Sequence, residues 1–332
     1  METSKKLNWK PIIAMIEKYQ RFVISTHIFP DGDAIGSQMG LYYMLRKLGK
    51  QVVLLNNDHT PANLRFLDPD RTIYRFNPMQ HNHLLTQSDA LIVVDTNSYE
   101  RIGSVGLAVE KIGVKTICID HHLTKTNFGD VRMIDTKACA AAELVYRLAK
   151  EMEVPLDLQI AQPLYVGLLM DTGSFRFFST TPETHLIVSD LLSCGVRQDQ
   201  VYSQIYETCT DEAIRLLGLT LSKLKKFGGG KIATLTVTHN MSRETGADPY
   251  EIEGLVNYTL KIFGVNIGIL FLVEKGPVVK ISLRSKGNYN VSEVAKKFGG
   301  GGHYHAAGIR IDKPLSKIRS DVIHACEQLL AD

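Results

Sequence analysis

Apolar residues in the first half of the chain come in short unbroken runs rather than in alternation with polar ones. Phe22-Val23-Ile24, Val52–Leu55, Leu91–Val94 and Thr116–Ile119 are four such runs. A strand covered on one face alternates apolar and polar positions, whereas a strand covered on both faces does not. The runs therefore predict a mostly parallel sheet flanked by helices, an α/β architecture. Elsewhere the apolar spacing switches to three and four residues, which predicts helices over Ala34–Leu48 (stopped by Gly49), Ala140–Met152, Leu158–Met170, Pro182–Leu192 and Asp211–Lys226. Pro182, directly after Thr181, suits a first helical turn.

Beyond Gly228-Gly229-Gly230 the pattern changes. Strands are predicted at Ile232–Val237, Asn266–Val273 and Val278–Leu283, and helices near Pro249–Leu260, Val291–Phe298 and Leu315–Leu330. This is the pattern of a smaller α+β domain, read as a mixed sheet with helices on one side. The expected layout is a first domain over 1–190, a helical linker over 191–228 and a second domain over 229–332. A chain of 332 residues is long enough for two domains.

The net charge of +3 excludes a whole-molecule electrostatic commitment to nucleic acid or membrane, so an anionic partner has to be held by a local site. Cys118, Cys139, Cys194, Cys209 and Cys326 are scattered and form no CxxC pair. That argues against a disulfide framework and a zinc–thiolate site, and fits reduced thiols in a cytoplasmic protein. The opening METSKKLNWKPIIAM has no apolar core of a signal peptide, and the longest apolar stretch, Ile267–Val273, is too short to span a bilayer. No membrane partner is expected.

Four polar segments follow buried elements. His27-Ile28-Phe29-Pro30-Asp31-Gly32-Asp33 comes directly after the first strand, Asp95 after Leu91–Val94, Asp120-His121-His122 after Thr116–Ile119, and Asp171 at the end of a helical pattern. Taken singly, each is ordinary: Asp-Gly-Asp is commonly a turn with an N-cap, and a strand-end aspartate a turn residue. Their shared placement changes the reading, because ligands of open α/β sheets bind beyond the carboxyl ends of the strands. Five aspartates and three histidines suit manganese or magnesium. Without cations so many carboxylates would repel one another, and two divalent ions would relieve that.

The ordered set His-x-x-Pro-Asp-Gly-Asp-Ala-x-Gly-Ser (His27 to Ser37), Val-Val-Asp-Thr (Val93 to Thr96), Asp-His-His (Asp120 to His122) and Asp-Thr-Gly-Ser-Phe-Arg (Asp171 to Arg176) resembles the DHH phosphoesterase family. Within it the chain is most similar to the stand-alone nano-RNase/pAp phosphatases. The resemblance implies one metal on His27, Asp31 and Asp95 and a second on Asp33, Asp95, His121 and Asp171, with Asp95 shared. It implies Mn²⁺, with Mg²⁺ or Co²⁺ as alternatives, and a hydroxide between the ions as nucleophile. Asp120 would orient a neighbouring histidine, and His122 would face the substrate phosphate. Arg101 and Arg176 would meet phosphate or form surface ion pairs. One departure stands out: Ala138-Cys139-Ala140-Ala141-Ala142 keeps the small residues expected before the next helix and lacks their hydroxyls, leaving a helix N-terminus as the anion holder there.

The second half adds Ser282-Leu283-Arg284-Ser285-Lys286 and Gly299-Gly300-Gly301-Gly302-His303-Tyr304-His305. These resemble the DHH-associated C-terminal domain, implying that Arg284 makes bidentate phosphate contacts and that Ser285, Gly301, Gly302 and His303 hold phosphate or base. Lys223, Lys225 and Lys226 read as a basic helix end, either a solvated face or an approach for phosphates. By resemblance the substrates are oligoribonucleotides of about two to five nucleotides, cut to mononucleotides by two-metal chemistry, and pAp, cut to AMP. A cyclic or linear dinucleotide (pGpG, pApA) phosphodiesterase and a non-catalytic nucleotide sensor are the alternatives. A homodimer is expected from exposed sheet edges.

Overall fold

The computed structural model describes residues 7–123, 127–248 and 254–331, with His303 described through its backbone. The chain divides into two compact units, Met1–Glu207 and Thr208–Asp332.

In the first unit α1 (Lys10–Lys18) leads into β1 (Arg21–Ser25), α2 (Gly32–Lys47), β2 (Gln51–Asn56) and β3 (Ile73–Arg75). Then come α3 (Pro78–Gln87), β4 (Ala90–Val94), α4 (Gly103–Ile112), β5 (Thr116–Asp120) and β6 (Val131–Ile134). The helices α5 (Ala141–Glu151), α6 (Leu158–Asp171), α7 (Pro182–Ser193) and α8 (Gln198–Tyr206) complete it. All six strands are parallel, in the order β3-β2-β1-β4-β5-β6. The unbroken apolar runs have the predicted cause. Phe22, Ile24, Ile92, Val94, Ile117 and Ile119 pack into one helical layer, while Val23, Leu91, Val93 and Cys118 pack into another that includes Leu85 of α3 and Val105 of α4.

Chain order reverses between β1 and β4, which are neighbours in the sheet. That is a topological switch point, where loops splay apart and leave a crevice. A second feature narrows it. Gly32, Gly36 and Gly40, one per helical turn, let α2 lie against α6. A Cβ on Gly36 would come within 2.4 Å of the Pro163 carbonyl, and one on Gly40 within 2.5 Å of Leu164. The contact brings the start of α2 against the end of α6.

The second unit opens with α9 (Asp211–Ser222), β7 (Lys225–Phe227), β8 (Ile232–Val237), α10 (His239–Thr245) and α11 (Asn257–Leu260). It continues with β9 (Ile267–Val273), β10 (Val278–Ser285), α12 (Val291–Lys297), β11 (Gly301–His303), β12 (Ala306–Asp312) and α13 (Leu315–Ala331). The sheet runs β11-β12-β10-β9-β8-β7 and is mixed, with only β8 and β9 parallel.

Three expectations need correction. Helices cover both faces rather than one: Ile269, Phe271, Ile281 and Leu283 pack with α12 and α13, and Leu235, Val237 and Leu272 with α9 and Met241 of α10. The helix from Asp211 ends at Ser222, because Lys225 and Lys226 pair with Thr234 and Ala233 as a strand. The helix predicted over Pro249–Leu260 is a single turn, Asn257–Leu260, among the described residues; 249–253 lie outside them. The triple glycine forms the turn between β7 and β8, with all three φ angles positive. No helix among the described residues is long and apolar enough to cross a membrane.

Candidate metal centre

The crevice at the β1/β4 switch point collects the four polar segments. His27 follows β1. Its Nδ1 lies 2.8 Å from the Ile28 carbonyl, an acceptor, so Nδ1 donates there. Nε2 then faces Asp95 Oδ2 at 3.2 Å and Asp31 Oδ1 at 3.9 Å. Asp31 is the N-cap of α2, accepting from the amides of Asp33 (3.0 Å) and Ala34 (3.1 Å). Capping and membership of the cluster are thus properties of one carboxylate rather than alternatives.

Asp95 leaves β4 at φ 60°, a left-handed backbone that aspartate tolerates better than most residues. The turn buries its carboxylate. His121, after β5, has Nδ1 3.2 Å from the Ala138 carbonyl. Its Nε2 lies 3.4 Å from Asp95 Oδ1, 3.5 Å from Asp171 Oδ2 and 3.7 Å from Asp33 Oδ2. Asp120 is fully buried and holds His122 Nδ1 at 2.8 Å and the His121 amide at 2.9 Å.

Asn97, Ile28 and Ala138 escape a reading of the sequence. Asn97 donates through its side-chain amide to Asp120 and to the His122 carbonyl. An amide two residues past a strand-end aspartate was the available signal. The backbone carbonyls of Ile28 and Ala138 left none.

The alanine run before α5 also finds its role. Its helix N-terminus is taken up by the Asp33 carboxyl, which accepts from the amides of Ala141 (2.5 Å) and Ala142 (2.9 Å). The Cys139 amide is taken by Glu143 at 3.0 Å.

Among the described residues, three groups have ligand atoms all within 4.8 Å of one another: His27, Asp31 and Asp95; Asp33, His121 and Asp171; and Asp95, His121 and His122. Charge balance strains this arrangement. Burial opposes a charge on His27, yet the Asp95 hydrogen bond and the charges of Asp95 and Asp31 raise it to about 9. Burial likewise opposes a charge on His121, and its carboxylate neighbours Asp95, Asp33 and Asp171 raise its pKa to about 11. Burial also disfavours charge on Asp95, but the two histidines hold it well below the usual carboxylate range. Burial followed by carboxylate repulsion pushes Asp33 well up, and pushes Asp171 to about 7 against the pull of His121. Asp95 Oδ1 and His121 Nε2 are buried and have no hydrogen-bond partner. Unsatisfied buried polar atoms are costly, and divalent cations on this carboxylate–imidazole set would satisfy both. The residues fit such ions.

Residues 21–168 match the model of the DHH family, N-terminal domain, and residues 229–332 that of the DHHA1 domain. The bifunctional oligoribonuclease and PAP phosphatase NrnA of Thermus thermophilus is 35% identical over 285 residues, spanning 86% of this chain and 82% of its own. The chain belongs to the DHH phosphoesterase family. It is therefore a hydrolase acting on phosphoester bonds. The Bacillus subtilis protein of the same name is 29% identical over 96% of this chain and 98% of its own. An exopolyphosphatase-related protein from Bacteroides fragilis superposes with a TM-score of 0.92 at 28% identity, covering 99% of this chain and 100% of that one.

The remaining predicted residues of this DHH phosphoesterase are placed as follows. Arg101 is exposed in a single 3₁₀ turn, where its carbonyl accepts from the Ile28 amide at 2.7 Å. Arg176 lies over the Phe177 ring, 5.2 Å from its centroid. In the DHHA1 domain Arg284 is half-buried on β10, donates to the Leu283 carbonyl at 3.0 Å, and has its pKa lowered by burial. The Ser285 hydroxyl is engaged within the domain, at 2.6 Å from the Tyr289 carbonyl and 2.9 Å from His305 Nδ1. Gly301 and Gly302 are exposed in a hairpin, opposite Gly308 and Ala307. A Cβ on Gly302, at φ 141°, would meet the Ala306 carbonyl at 2.4 Å, so the strand pairing itself demands glycine. The backbone of His303 pairs with Ala306; its side chain lies outside the described residues.

Proposed function

We propose that this phosphoesterase cuts the shortest oligoribonucleotides to mononucleotides and removes the 3′-phosphate of pAp to leave AMP. His27, Asp31 and Asp95 would hold one divalent cation, and Asp33, Asp95, His121 and Asp171 a second, with Mn²⁺ the preferred ion. The observation that carries the reading is the split of the Asp95 carboxylate. Oδ2 faces His27 at 3.2 Å and Oδ1 faces His121 at 3.4 Å, so one side chain borders both groups. Ions held there would supply a nucleophile at neutral pH and would neutralise charge on the phosphoryl oxygens.

The chain's own residues do the rest. The Ile28 and Ala138 carbonyls hold the two ligating imidazoles through Nδ1, so that Nε2 faces the carboxylates. The α5 amides donate to Asp33 and favour its carboxylate form. Asp120 holds the His122 ring, which donates to the substrate phosphate as charge develops on it. In the DHHA1 domain Arg284 makes no ion pair among the described residues, which suits it to grip a substrate phosphate. The printed names of the Thermus and Bacillus relatives, oligoribonuclease and PAP phosphatase, support the substrate class.

The test is Mn²⁺-dependent hydrolysis of 5′-labelled RNAs from dinucleotides to long oligomers, with pAp and inorganic polyphosphate in parallel. Fastest loss of the shortest RNAs together with conversion of pAp is the expected result. Cleavage of long strands alone, or of polyphosphate alone, would overturn the substrate assignment.

A further inference from the structure

The second unit contains a cavity of about 400 Å³ walled by Lys223, Lys225, Thr234, Thr236, Thr238 and Arg319, and no carboxylate among the described residues lines it. Small-molecule sites run from about 300 to 1,000 Å³, so the space admits more than a bare ion. Its chemistry is that of an anion site. Arg319 extends from α13 across the sheet, with its guanidinium carbon 5.5 Å from the centroid of the Phe271 ring and Nη2 donating to Thr236 Oγ1 at 2.7 Å. Its Nε is buried with no hydrogen-bond partner. A guanidinium held in this way and left with an unused donor is built to meet an oxyanion. Lys225 pairs in register with Thr234, so both project from the same face of the sheet, and Lys223 lies just before that strand. Lys226 pairs with Ala233 and belongs to the opposite face.

This site is separate from Arg284. Thr234 and Thr236 are in register with Ile269 and Phe271, whereas Arg284 is in register with Gly268 and, beyond it, Ala233. Those positions alternate, so the two arginine regions occupy opposite faces of one sheet.

We propose that the Lys223–Lys225–Thr236–Arg319 cavity binds a small phosphorylated molecule. The Arg319 guanidinium meets a phosphate oxygen, and the two lysines supply charge at the mouth. Choosing a nucleoside monophosphate as ligand rests on the function proposed above; binding of a phosphate group does not.

The experiment is calorimetric titration of the full chain, stripped of metal by chelation, with AMP and separately with inorganic phosphate. Four proteins are compared: wild type, Arg319→Gln, the double variant Lys223→Ala/Lys225→Ala, and Arg284→Ala. The lysines are exposed, so the double variant keeps the test valid should Arg319→Gln unfold. The expected result is a binding event that persists in Arg284→Ala, where the substrate grip is removed, and that the Arg319 and lysine changes weaken roughly tenfold or more, as loss of a charge-assisted hydrogen bond requires. AMP binding more tightly than phosphate would make the nucleoside part of the ligand, and equal affinities would make it the phosphate alone. Absence of binding, or binding lost only in Arg284→Ala, would overturn the proposal. Because no turnover is measured, failure here leaves the phosphoesterase reading standing, and the reverse also holds.

Discussion

Asp33 Oδ1 accepts a hydrogen bond from the backbone amide of Ala142, 2.9 Å away across 109 positions of the chain. Gly167 makes this possible. A Cβ there would lie 2.6 Å from Ala142 Cβ and 2.8 Å from Asp33 Oδ1. Gly167→Ala is therefore expected to force Asp33 off the α5 amides and to cost about 1–3 kcal/mol of stability, as overpacking does. Thermal unfolding with and without Mn²⁺ checks it. The variant should lose more of the Mn²⁺-induced stabilisation than of its metal-free stability.

Asn97 acts through Asp120 and the His122 carbonyl. Removing such an outer partner typically costs about 10–100-fold in metal affinity or activity. Asn97→Ala should fall in that range, read as kcat/KM on a dinucleotide. A variant within error of wild type would show that Asp120 needs no help to hold His122.

A pH-dependent contribution to stability lies far from the centre. The Asp89 carboxylate accepts from the amides of Arg21 (2.8 Å) and Gln20 (3.0 Å), and these bonds hold it below its ordinary value near 3.8. A depressed carboxylate stabilises the fold above its unfolded pKa and loses that contribution as the pH falls through the folded one. Asp89→Ala should destabilise the protein at neutral pH by on the order of 1 kcal/mol. The gap from wild type should close in strong acid, and a gap that persists there would contradict the assignment.

Arg284→Ala separates gripping from cutting. An arginine that holds substrate equally in ground and transition states affects KM and leaves kcat nearly unchanged. The expected outcome is KM for dinucleotide raised roughly tenfold or more with kcat altered far less. A fall in kcat at constant KM would move Arg284 into the reaction itself.

Much of the first unit was legible because burial on both faces removes the polar positions of a strand. Leu91–Val94 and Thr116–Ile119 cannot be read as exposed strands, and an acid placed directly after such a run is placed at a strand's carboxyl end. The same logic brought His27, Asp95 and His121 together before any distance was known. What escaped detection depends on pairing between distant segments. Ile73–Arg75 is a short, partly exposed edge strand with no apolar run to mark it. Lys225 and Lys226 continue a helical spacing locally and become a strand only through Ala233 and Thr234. The alanines before α5 lack the hydroxyls expected there, and only the fold shows that the amides of Ala141 and Ala142 hold Asp33.

The most direct test of the account is a crystal structure with Mn²⁺, using anomalous scattering to locate the ions in wild type and in Asp95→Ala. Two peaks are predicted in the wild type, one bounded by His27, Asp31 and Asp95 and the other by Asp33, Asp95, His121 and Asp171, with at least one lost in the variant. A single ion, or two ions that persist unchanged without Asp95, would contradict the shared carboxylate on which the proposed chemistry rests.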